Sequence, residues 1–128
     1  MKKEAIYNAD LHFEHVFWTK ELDFWEDELK SFNNRIEELV MRWTDPSVLA
    51  QIEKFQNQFL IQENAMNTVR NQIAMHETNM AEHYKMNEDV LNKSLVKKHL
   101  MIRDQMETQR SIYQNLKKEF FKFMTKYM

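Results

Sequence analysis

Residues 11–43 read LHFEHVFWTKELDFWEDELKSFNNRIEELVMRW. Within this stretch Leu11, His15, Trp18, Leu22, Trp25, Leu29, Phe32, Ile36, Leu39 and Trp43 recur in alternating steps of four and three. A period near 3.5 residues sustained over this length marks an α-helix that packs one continuous stripe against partner helices. A strand would alternate every second residue instead.

The same rhythm returns twice. Val48, Ile52, Phe55, Phe59, Gln62, Met66, Val69, Ile73, His76, Met80 and His83 carry it through a second segment. Leu95, His99, Ile102, Met106, Gln109, Tyr113, Leu116, Phe120, Phe123 and Tyr127 carry it through a third. Helices are therefore expected over residues 9–43, 46–84 and 88–127. The first break is written as Trp43-Thr44-Asp45-Pro46: Asp45 suits an N-cap and Pro46 the first helical position. The second, from Tyr84 to Asp89, offers Asn87 as a cap and Glu88 and Asp89 as first-turn acids, but no helix breaker. A helix running through it is the alternative, and would need a second copy of the chain to cover its stripe. Short connections make neighbouring helices antiparallel. The expectation is one all-α domain over 1–128, an elongated up-down-up bundle with coiled-coil-like heptad packing.

Composition agrees. The 128 residues include no glycine, one proline and no cysteine. Tight β-turns and phosphate-cradling loops draw on glycine for φ > 0 or close backbone approach, so β-rich and dinucleotide-binding classes are excluded. The absence of cysteine removes thiolate metal sites and cysteine nucleophiles. A formal net charge of −2, with neither sign in blocks, gives no footprint for nucleic acid or an anionic membrane surface. The N-terminal stretch lacks a signal-peptide core, and no apolar run approaches the roughly 20 residues of a membrane helix. A soluble, cytoplasmic chain is expected, with a second copy or another protein as the partners its stripes would suit.

Chemistry concentrates at the histidines. Of His12, His15, His76, His83 and His99, four fall on the stripes. If the first turn centres near residue 45 or 46, facing positions on helices 1 and 2 add to about 91. His15 then faces His76. If the second turn centres near 87, positions on helices 2 and 3 add to about 174, and His76 faces position 98, beside His99. Each helix thus contributes one imidazole at nearly one height, with His83 two turns nearer the open end, near His12. A buried ring carries a donor and an acceptor that both need partners, and three converging rings share one solution: a divalent ion such as zinc or iron. Glu14, Glu21 and Glu77 flank this height and are the carboxylates placed to complete or orient the site. Asp104, five residues after His99, falls on the outer face.

No linear motif accompanies the layer. The Glu-x-x-His pair of ferritin-like proteins and the His-Glu-x-x-His signature are absent at every histidine. Of the hemerythrin pattern, only the His-x4-Asp spacing of His99 and Asp104 occurs, over six residues. Ten methionines include the stripe residues Met66, Met80 and Met106, but a copper site would call for clustered Met-x-x-Met spacings, and none occurs. Gln62 and Gln109 interrupt two stripes, at heights that do not coincide, and are expected to fix register. The remaining acids are expected on solvated faces, with no carboxylate pair or Ser-His-Asp arrangement for catalysis. Two readings follow: a small helical bundle that binds a transition-metal ion through core histidines, or a structural, protein-interaction bundle whose histidines are satisfied core polar groups.

Overall fold

The computed structural model of the protein describes residues 8–85 and 93–128. It contains three α-helices, α1 (Asn8–Arg42), α2 (Pro46–Tyr84) and α3 (Lys93–Tyr127). They run for 35, 39 and 35 residues, about 52 to 58 Å each at 1.5 Å per residue. α2 packs closely on both α1 and α3, so the chain forms an all-α three-helix bundle.

The connection between α1 and α2 follows from its sequence. Asp45 takes an extended backbone (φ −62°, ψ 120°), and its carboxylate accepts from the Ser47 amide at 2.8 Å. Pro46 opens the helix, where a missing N–H costs nothing. Lys85 ends α2 as its C-cap, and the proposed Asn87 cap with Glu88 and Asp89 lies outside the described residues. Because α3 returns along α2 within one chain, its stripe is covered without a second copy.

The stripes are the core. All their residues are buried except Trp43, His83, Leu95 and Tyr127, which are half-buried; Met124 is buried in addition. At the connected end, Phe32, Phe55, Phe59, Phe120 and Phe123 form a continuous aromatic packing with ring centroids 5.0–6.1 Å apart. Trp43 closes that end by donating its indole N–H to the Tyr127 carbonyl at 3.0 Å. Towards the other end, a small separate cluster of Leu11 and Met80, packed against Leu95 and Val96, lies beyond the histidines.

Two expectations need correction. Gln62 and Gln109 do meet: the Gln109 amide donates to the Gln62 side-chain oxygen. A glutamine side chain spans about one helical turn, enough to close the offset between their backbone heights. Nor are the acids confined to solvated faces. Glu14 pairs with Arg103, Glu21 with Arg110 and Glu28 with Lys117, every time 89 residues apart. A constant difference means that α1 and α3 run parallel, and the heptad spacing of both partners repeats the pair along one side of the bundle. Glu28 also accepts from the Tyr113 hydroxyl at 3.0 Å; burial, reinforced by this bond, pushes that phenol's pKa far up.

Candidate metal centre

His15 on α1, His76 on α2 and His99 on α3 are all buried, with 3%, 1% and 0% of their surface exposed. Their ring centroids lie 5.1 Å (His15–His76), 4.9 Å (His15–His99) and 5.4 Å (His76–His99) apart. One nitrogen from each ring falls within 4.8 Å of the other two, the one such grouping of His, Cys, Asp or Glu among the described residues. The layer follows from helix register, because His15 and His76 add to 91, as do the touching Phe32 and Phe59. Trp18, one turn after His15, stacks beneath His99 at 4.9 Å and 27°.

Each ring has one nitrogen committed outwards to an acceptor. His15 donates through Nδ1 to Glu77 Oε1 at 2.7 Å. His76 donates through Nε2 to the Leu95 carbonyl at 2.8 Å. His99 donates through Nε2 to Glu14 Oε1 at 2.7 Å. In a neutral imidazole the other nitrogen then carries a lone pair. Those left over are His15 Nε2, His76 Nδ1 and His99 Nδ1. The first two stand 3.1 Å apart, and His99 Nδ1 is buried with no hydrogen-bond partner among the described residues.

Burial favours the neutral ring at His76 and His99. Burial lowers the pKa of His76, despite its bond to Leu95, and the neighbouring His15 lowers it further. Burial also lowers that of His99, against the opposing bond from Glu14. Burial alone would raise Glu14, but the two-point clasp of Arg103 and the bond from His99 hold its carboxyl below the ordinary range. Glu77 is held low in the same way, since the bonds from His15 and His12 outweigh its burial.

The expected residues therefore separate by position. His15, His76 and His99 come together. Glu14 and Glu77 stand behind two of them, fixing tautomer and ring orientation. His12, largely exposed, reaches Glu77 at 2.6 Å and not the layer. Glu21 is turned to Arg110, and Asp104 is exposed. His83, half-buried two turns beyond His76, is not among the three converging rings. The sequence reading missed the Leu95 carbonyl and Arg103. A backbone acceptor leaves no side-chain signal, whereas the heptad spacing of Glu14, Glu21 and Glu28 against Arg103, Arg110 and Lys117 was available to be read.

No protein-family profile matches the chain, and neither a curated protein nor a solved structure is similar to it.

Three imidazoles with fixed tautomers fit the chemistry of a transition-metal ion. Two nitrogens at roughly 2.0–2.1 Å from one tetrahedral ion lie about 3.3–3.4 Å apart, close to the His15–His76 separation.

Proposed function

We propose that this protein binds one transition-metal ion through His15 Nε2, His76 Nδ1 and His99 Nδ1. One observation carries the proposal: each ring commits its outer nitrogen to an acceptor, and the three buried rings meet with one nitrogen of each within 4.8 Å of the others. Lone pairs facing each other in a water-poor interior repel, and an unsatisfied buried nitrogen costs free energy. A cation at the centre removes both penalties. Glu14 and Glu77 contribute the carboxylate–histidine–metal arrangement that orients ligating rings in metalloproteins generally.

The second reading is a structural, protein-interaction bundle without metal. In it a single extra proton sits between His15 and His76 and makes one of them cationic, next to Glu77. That would satisfy the 3.1 Å contact but leave His99 Nδ1 without a partner. Phe13, Phe17 and Phe24 favour an interaction role, for they lie along one side of α1 with 70%, 58% and 59% of their surface exposed.

Metal content separates the two. Untagged protein is expected to carry, or after reconstitution to retain, about one equivalent of a transition metal, and a His76→Ala variant to lose it. Wild-type protein that retains no metal after reconstitution would leave the interaction bundle as the better account.

A further inference from the structure

The layer has three nitrogens and a tetrahedral ion has four positions, so what fills the fourth depends on the residues stacked against the rings. One turn along the bundle axis on one side are Leu11, Met80 and Leu95; on the other are Trp18, Ile73 and Ile102. Five of the six are buried and Leu95 is half-buried. Among them Met80 alone has a side-chain atom with a lone pair to give. Its placement is also the right one. Helical side chains lean towards their own N-terminus, so Met80, four residues after His76, leans back onto the histidine layer. Leu11 and Leu95 precede their histidines and lean away.

We infer that the Met80 thioether is the fourth ligand of this centre, and that the ion it selects is copper(I). The inference rests on the three-histidine reading given above. Met80 is 2% exposed and packed with Leu11 in an apolar cap against Leu95 and Val96. A soft sulfur beside three imidazoles suits copper(I) over harder ions that ask for oxygen. Searching the sequence for Met-x-x-Met could not find this arrangement, because it needs one methionine one turn from a histidine layer rather than a methionine cluster.

The test titrates copper(I), supplied as a competing chelate in oxygen-free buffer, and zinc(II) into full-length wild type, Met80→Leu and His76→Ala. Leucine nearly conserves the volume of methionine, and metal-free circular dichroism establishes that the variant is folded. Met80→Leu is expected to weaken copper(I) at least about tenfold while changing zinc(II) by no more than about twofold. X-ray absorption at the copper edge should show one sulfur neighbour in wild type and none in Met80→Leu. Protein grown on selenomethionine, which needs no substitution, should show selenium in its place. Unchanged copper(I) affinity in Met80→Leu, equal weakening of both metals, or no sulfur neighbour in wild type overturns the Met80 inference alone. Failure of wild type to bind either metal, or His76→Ala binding as well as wild type, overturns the three-histidine reading itself.

Discussion

His76 Nδ1 lies 3.1 Å from His15 Nε2, while each ring spends its other nitrogen on an acceptor that cannot donate in return. Three hydrogen-bonded links would need three protons, and two neutral imidazoles supply two. The centre therefore requires one more positive charge than its rings carry. A metal ion and a proton are the two ways to provide it, and they leave opposite signatures.

Chelator should separate them first. Binding only to the folded state stabilises it by about 2.7 kcal/mol at a free ion concentration a hundred times Kd. Metal-loaded protein should therefore melt several degrees higher than the same sample with excess chelator. His76→Ala should show no such difference. Equal melting temperatures for the loaded and chelated wild type would argue against the site.

The pH dependence carries a sign. Burial holds His76 and His99 below their unfolded value of about 6.5. Groups with depressed folded pKa values contribute stability that is complete above the unfolded value and is lost as pH falls below it towards the folded one. Stability, measured by denaturant unfolding, should therefore fall between pH 7.5 and 5. Glu14 and Glu77, whose pKa values are also lowered, extend the loss below about pH 4.5. A flat or rising profile from pH 7.5 to 5 would argue against neutral, buried rings at His76 and His99.

Glu14 acts on the centre through His99. Glu14→Gln keeps the size but cannot anchor both Arg103 and the His99 N–H as a carboxylate does. Zinc affinity should weaken about 10- to 100-fold, the usual effect of removing such a partner, with little change in melting temperature of the metal-free protein. Glu21→Gln, one heptad along and bonded to Arg110, serves as the control and should leave affinity unchanged.

The Gln62–Gln109 pair offers a test of the core that is independent of metal. Gln62→Leu strands the Gln109 donor in a buried position and should cost about 1–3 kcal/mol. The double variant Gln62→Leu/Gln109→Leu replaces both groups and should recover most or all of it. If the single and double variants lose the same stability, the amides contribute to packing rather than to a hydrogen bond.

The helices could be read directly from the chain because each stripe is a local, periodic signal and burial follows it almost residue for residue. The first turn was legible for the same reason, since Asp45 and Pro46 act on backbone groups two residues away. Even the level of the histidines was legible: one turn position fixes the whole register of a hairpin of straight helices. The height of Gln62 and Gln109 was misjudged because backbone heights ignore the reach of a long side chain.

What the sequence determined by itself is thus the part governed by short-range rules: three helices, their buried faces and the height of one imidazole on each. The tertiary structure alone decided what those imidazoles are. Their tautomers depend on Glu77, the Leu95 carbonyl and Glu14, contributed by other helices from 19 to 85 residues away. Hydrogen-bond roles are set within about 3 Å, and the partner at that range is chosen by how three helices pack rather than by neighbours in the chain.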